Sequence, residues 1–262
     1  MSIIEAHNIN YSNSNKMLFH KLDLSIEEGS FNAFIGENGV GKTTLLKILT
    51  GQIITDSSVK VDEIKVNKFN IEDISNKIAI INSYNEFFSK TVMEEILQDK
   101  RQVSVYDINK VKQLLDSFNL LYLEKMPVQN LSYAENQIIA LIKAIIKKPK
   151  IIILDNAFSK LDLDKRSELL NYLTDYCKKN NITILSATNN MSELKYYDRI
   201  LLIKYSSIFF DGNYKSLINT VDLNKEGLSF PWEVEISNKL KLYDLIDDTY
   251  DDIDKIVGEL CK

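Results

Sequence analysis

The sequence predicts an α/β fold: a P-loop-bearing core with a mixed or parallel sheet, an N-terminal antiparallel β-subdomain and an inserted helical subdomain. Three observations carry this expectation. Short apolar runs alternate with stretches of helical periodicity along most of the 262 residues. One run, Ile151-Ile152-Ile153-Leu154, is apolar at every position, which suits a parallel strand covered on both faces. Residues Gly36 to Thr44 read GENGVGKTT, a glycine-rich turn set between a strand-like and a helix-like segment.

The elements follow in order. Ile3–Ile9 and Leu22–Ile26 read as strands of an antiparallel sheet, joined across the polar turn Ser12-Asn13-Ser14-Asn15. Phe31–Ile35 reads as a buried strand, and Thr44–Leu49 as a helix with one apolar face. Short strands are expected near Val59–Val61, Ile64–Val66 and Ile78–Ile81. Helical periodicity marks Thr91–Leu97, Val105–Phe118 and Ala134–Ile146, and the mostly helical stretch of residues 91–130 is the expected inserted subdomain. Lys148-Pro149-Lys150 stops the last of these helices, because proline cannot continue one. Leu163–Cys177 reads as a helix, and Ile182–Leu185, Ile200–Ile203 and Ile208–Phe210 as strands. Residues 1–220 form the expected main domain and 221–262 an extension. In it, Phe230-Pro231-Trp232 reads as a turn anchored by aromatics. From Leu240, the residues Leu242, Leu245, Ile246, Ile253, Ile256, Val257 and Leu260 fall at helical spacing among aspartates. Such a helix either packs on its own domain or docks a second subunit.

Gly36, Gly41, Lys42 and Thr43 fit the spacing G-x-x-x-x-G-K-[ST] of a phosphate-binding loop, with Asn38, Gly39 and Thr44 completing its surface. The chain has 8 glycines, and three of them stand in this loop. Glycine tolerates positive φ and lets backbone N–H groups close around a polyphosphate. The following helix adds the positive end of its dipole. Lys42 would neutralise the β- and γ-phosphates, and the Thr43 hydroxyl would sit on Mg²⁺. Strand Ile151–Leu154 ends in Asp155, where such folds hold Mg²⁺, although an Asp at that place also caps a turn.

Bulk properties narrow the function classes. A net charge of −5 argues against a primary nucleic-acid binder. Cys177 and Cys261 lack metal or redox spacing and read as free thiols, and His7 and His20 are too few for a metal cluster. No apolar run approaches the ~18 residues of a membrane span, and the N-terminus does not begin like a signal peptide. A cytoplasmic protein is expected, with any membrane role supplied through a partner.

Taken together, the motifs resemble those of the ATP-binding cassette (ABC) family over roughly residues 1–220. Leu154-Asp155-Asn156-Ala157-Phe158-Ser159-Lys160-Leu161-Asp162 looks like that family's L-D-E-P-x-S-x-L-D run, and Leu131–Gln137, LSYAENQ, like its signature L-S-G-G-E-x-Q. Ile184–Asn189 matches the strand ending in Thr-His, and Asp198-Arg199-Ile200 the D-R-I that follows. The resemblance implies bound ATP and Mg²⁺, and a dimer with a second cassette. It also implies a separate membrane permease and a peripheral place on the inner face of the cell membrane. It puts Tyr11 where an aromatic stacks on adenine, though Tyr11 also reads as an ordinary edge-strand tyrosine. It puts Asp162 on the loop crossing the dimer interface. Signature residues Ser132, Tyr133, Ala134, Glu135 and Gln137 would face the partner's nucleotide. Phe87, Phe88, Thr91, Val92 and Met93 fall where the family meets its permease, and also read as core.

The departures from the family pattern are specific. Asn156 stands where a glutamate polarises the attacking water, and an amide cannot accept that proton. Asn189 replaces the histidine that touches the γ-phosphate, and Ser83 aligns with a glutamine that touches Mg²⁺ and water. Tyr133 and Ala134 replace the signature's glycine pair, and Tyr133 brings bulk to a place of close backbone approach. The expectation is an ABC transporter subunit with weak or absent hydrolysis. Its alternative is a non-hydrolysing ATP-dependent subunit of a sensing or immunity complex. An unrelated phosphate-loop kinase leaves Tyr11, Leu131–Gln137 and Ser159–Asp162 without an account.

Overall fold

The computed structural model describes residues 1–13, 16–100, 102–223 and 227–261. Strands β1 (Ser2–Asn13) and β2 (Lys16–Glu27) pair antiparallel, with Tyr11 opposite Phe19. They are longer than the sequence pattern suggests, and Ser14 and Asn15 of the expected turn lie outside the described residues. The chain then enters β3 (Phe31–Ile35), all five residues of which are buried. After helix α1 (Lys42–Leu49), strands β4 (Ser58–Val61) and β5 (Ile64–Lys65) return to the first sheet, giving the order β2-β1-β4-β5. Helix α2 (Ile71–Lys77) leads into β6 (Ile78–Asn82). Its seven residues escape the periodicity because only Ile74 is fully buried.

Helices α3 (Val92–Leu97) and α4 (Val105–Ser117) fill the expected helical insertion, followed by short 3-10 turns at Leu121–Leu123 and Val128–Asn130. Reciprocal capping boxes start both helices, Thr91 with Glu94 and Ser104 with Asp107. Helix α5 (Tyr133–Lys147) buries Gln137–Ile142 and Ala144–Ile146, and it ends at Lys148 in the left-handed conformation just before Pro149. Strand β7 (Ile151–Asp155), helix α6 (Leu163–Asn180) and strands β8 (Thr183–Ala187), β9 (Arg199–Lys204) and β10 (Ser207–Gly212) complete the second sheet. Its order is β10-β9-β3-β8-β7-β6, parallel except for the β9–β10 hairpin. This is a mixed sheet covered on both faces: α1 and the N-terminal sheet pack on one side, α5 and α6 on the other.

The extension differs from its sequence reading. Helix α7 (Tyr214–Thr220) precedes it, and α8 (Trp232–Leu242) begins directly after Pro231, so Trp232 opens a helix. The periodic stretch from Leu240 to Leu260 is not one helix. It breaks after Leu242, Asp244 takes φ 55°, and α9 (Ile253–Leu260) starts only after Asp252 caps it. Aspartates favour turns because their carboxylates bond nearby backbone N–H groups. Across the break, Ser237 Oγ accepts from Tyr250 N at 2.7 Å, and Thr249 Oγ1 donates to Asn238 Oδ1 at 2.8 Å.

Candidate functional site

The phosphate loop connects the C-terminal end of β3 to α1, and two of its glycines are there for room. At Gly41, φ is 112° and a Cβ would meet the Phe19 ring at 2.8 Å; at Gly36, φ is 146° and a Cβ would meet the Ile203 carbonyl at 2.6 Å. Gly41 caps α1 with no side-chain hydrogen bond, which leaves the start of that helix without an internal acceptor. Lys42 is only 6% exposed. Its Nζ donates to the carbonyls of Gly36 at 2.7 Å and Glu37 at 3.1 Å. Burial pushes the ammonium down to about 8, and the nearby Asp155 carboxylate opposes that shift. Thr43 Oγ1 donates to Asp155 Oδ1 at 2.8 Å, which joins the first turn of α1 to the end of β7.

These groups border a cavity of about 340 Å³. Asn38, Gly39, Gly41, Lys42, Thr43 and Thr44 form its floor, Asn13, Lys16 and Leu18 one wall, and Asn156 and Asn189 the other. Lys16 Nζ donates to the Gly39 carbonyl at 3.0 Å and adds a second cation that the motif does not contain. Tyr11 does not line this cavity; it is half-buried against the N-terminal core.

The three positions that the resemblance marks for catalysis hold amides or a short hydroxyl. Asn156 takes φ 51°, a conformation asparagine tolerates, and its N–H donates to the Ala187 carbonyl at 2.8 Å. Its side-chain Nδ2 donates to Asp155 Oδ1 at 3.1 Å. Asn189 Nδ2 donates to Asn38 Oδ1 at 2.5 Å, so it is tied to the loop itself. Ser83 lies beside Asp155, its N–H on the Asp155 carbonyl at 3.1 Å, and it does not reach the cavity wall. Among the described residues lining the cavity there is no carboxylate and no imidazole.

The signature residues lie away from this cavity, at the start of α5. Ser132 Oγ accepts from Glu135 N at 3.3 Å, and the Glu135 carboxylate accepts from Ser132 N at 2.7 Å and from Tyr122 Oη at 2.8 Å. Hydrogen bonds from Ser132 and Tyr122 hold that carboxylate low despite its desolvation. Tyr133 and Ala134 follow as the first helical residues. Neither adopts positive φ, so position 133 does not require the backbone freedom of glycine. The Tyr133 side chain turns inward, its Oη donating to the Ala157 carbonyl at 3.0 Å. Gln137 is fully buried, donating to the Ser83 carbonyl at 3.2 Å and accepting from Asn85 Nδ2 at 3.3 Å. Asp162 caps α6 by accepting from Lys165 N at 2.8 Å.

Two residues that sequence reasoning passed over organise these loops. Arg166 donates to the carbonyls of Phe158 at 3.1 Å, Ser159 at 3.4 Å and Leu161 at 2.6 Å, and lies 3.5 Å from Glu193. Glu95, fully buried, accepts from the N–H groups of Phe88 and Ser89 and from Lys143 Nζ at 2.6 Å. A lone charged residue in a helix carries no motif. The only available clue to either was a charge placed on an otherwise apolar helical face.

Similarity to known proteins agrees with this geometry. The profile of the family described as ABC transporter matches residues 19–159. The chain is 32% identical to the energy-coupling factor transporter ATP-binding protein EcfA1 of Ligilactobacillus salivarius (strain UCC118), over 91% of this chain and 88% of that protein. It is 30% identical to the EcfA1 protein of Mesomycoplasma hyopneumoniae (strain 7448), over 96% and 93%. Its fold matches CbiO1 from Clostridium perfringens, part of the ABC transporter complex cbiONQ, with TM-score 0.75 and 23% identity, covering 92% and 95% of the two chains. The family profile spans the phosphate loop and the strand β7 whose Asp155 takes the Thr43 hydroxyl, and the chain belongs to the ABC transporter family.

Proposed function

We propose that this chain is an ATP-binding subunit of an energy-coupling-factor-type transporter. It holds MgATP, pairs with a second cassette and passes its nucleotide state to a separate membrane component, while hydrolysing ATP weakly or not at all. The names of its relatives support the transporter class. The residues fit the nucleotide: a buried lysine on the loop carbonyls, an uncapped helix start and a second cation at the wall suit a polyphosphate. They fit Mg²⁺ as well. Thr43 and Asp155 supply hard oxygen donors, and Mg²⁺ is commonly held by one or two carboxylates together with substrate phosphates. The bound metal would neutralise charge on the phosphates. Lys42 would balance the remaining charge, and Asn156 would hold Asp155 in place through its amide.

One observation carries the weak hydrolysis: amides, Asn156 and Asn189, border the cavity, and the carboxylate beside them, Asp155, is engaged by Thr43 and Asn156 and assigned to Mg²⁺. For the membrane component, a groove of about 390 Å³ between α2, β6 and α5 is a suitable seat. Phe87 lines it, and the next residue, Phe88, is 82% exposed on a loop that Glu95 fixes. Thr91 and Val92 serve instead as a helix cap and core, and Met93 packs against that core. No helix among the described residues is long and apolar enough to cross a membrane. A place on the inner face follows from the transporter reading, through the membrane component.

Affinity purification from detergent-solubilised membranes of cells expressing the tagged chain tests this reading. Recovery with a polytopic membrane protein and a second cassette is the expected result. Stable recovery with soluble partners alone would overturn the transport reading in favour of a regulatory ATP-binding subunit.

A further inference from the structure

Between the signature end of α5 and the phosphate cavity runs the segment Ala157–Leu161. Arg166 holds three of its carbonyls, those of Phe158, Ser159 and Leu161, from the α6 side. The Ala157 carbonyl is taken by Tyr133 Oη at 3.0 Å from the α5 side, and Lys160 Nζ stands 5.8 Å from the centroid of the Tyr133 ring. Side chains at the start of a helix lean toward its N-terminus, which is why Tyr133 reaches this segment and not the solvent in front of α5. One residue before Ala157 stands Asn156, whose amide bonds Asp155 Oδ1, and that same oxygen takes the Thr43 hydroxyl. An unbroken chain of hydrogen bonds and peptide links therefore joins α5, through Tyr133, Ala157, Asn156 and Asp155, to the first turn of α1.

We infer that Tyr133 is a positioning residue, a latch within one chain that transmits occupancy of the phosphate cavity to the start of α5. The inference rests on the nucleotide-binding reading above. A glycine at position 133 has no side chain to make this contact. The substitution that removes the glycine therefore adds a mechanical link within the subunit. Ligand that fixes Thr43 and Asp155 also fixes Asn156 and the Ala157 carbonyl. The Tyr133 hydroxyl then restrains the α5 terminus, where Ser132 and Glu135 cap one another.

Amide hydrogen–deuterium exchange on the full chain, with and without MgADP, tests the latch. ADP lacks the γ-phosphate, and a concentration at which light scattering reports a monomer removes protection by a second subunit. In the wild type, MgADP should slow exchange across residues 36–44. It should also slow residues 133–140 and 157–162 by roughly three- to tenfold, the range of one hydrogen bond's net contribution. Tyr133→Phe keeps the ring and loses the hydroxyl. It should retain the protection of 36–44 and lose that of 133–140 and 157–162, and Tyr133→Ala should do the same. A residue that only fills space would lower the melting temperature equally with and without nucleotide and leave the distant protection in place; that result overturns the latch. Absence of protection at 36–44 in the wild type would instead overturn the nucleotide-binding reading, and the latch with it.

Discussion

Two helix N-termini in this molecule are built on opposite plans. At α1, Gly41 provides no cap, and the helix opens onto a cavity floored by Lys42, Thr43 and Thr44. At α5, Ser132 and Glu135 close a reciprocal capping box, and the Glu135 carboxylate sits on the helix start. An uncapped N-terminus keeps its N–H groups and dipole for an anion, whereas a box with its own carboxylate has spent both. The difference teaches where ligand energy resides in this chain. The phosphate end is prepared to receive charge from outside, and the signature end is already satisfied from within and fastened by Tyr133 to its own Ala157–Leu161 segment.

Substitutions at the two ends should separate accordingly. The largest effect is expected from Asn156→Glu, which places a carboxylate at the cavity wall. Turnover of MgATP, measured by phosphate release in the assembled complex, should rise by about 10²–10⁴-fold if a general base is the missing part. The strained backbone at φ 51° makes the new side chain cost roughly 1 kcal/mol of stability. Lys42→Ala should weaken binding of a fluorescent ATP analogue on the order of a hundredfold, because it removes charge-assisted bonds to the phosphates. Ser132→Ala should leave that affinity unchanged and cost only about 1 kcal/mol in thermal stability through its lost cap.

The Lys42 ammonium also sets a pH signature. Its folded value of about 8 lies below the ordinary 10.5, so the unfolded chain binds more protons between those values. Stability of the nucleotide-free chain contributed by this group should therefore rise as pH increases from 8 toward 10.5. Nucleotide affinity should move the other way, falling above pH 8 as Lys42 loses its charge. Thermal melts and binding titrations across that range check both slopes. The smallest effect belongs to Lys16→Ala. Removing this exposed cation should weaken ATP binding about two- to fivefold and make it less sensitive to salt.

Much of the phosphate end could be read from the sequence. Gly36, Gly41, Lys42 and Thr43 are close in the chain, so their spacing alone encodes the loop, and the unbroken Ile151–Leu154 run marks the central strand that carries Asp155. The signature end was legible in identity and misleading in geometry. Tyr133 read as an obstruction at a glycine position, yet the helix dihedrals there suit any residue and the ring folds back on Ala157. Arg166 and Glu95 act on backbone groups of loops through contacts that leave no periodic trace. In the extension, the helical spacing from Leu240 to Leu260 persisted across aspartates whose turn preference breaks the helix at Tyr243.

The most direct measurement is a single-turnover assay on the wild-type chain in its transporter complex, with γ-labelled ATP and Mg²⁺ at saturating protein. A cavity that grips triphosphate but lacks a proton acceptor predicts that the bound label is recovered as intact ATP over many minutes. Release of labelled phosphate within about a second, at the 1–10³ s⁻¹ pace typical of enzymes, would contradict that prediction.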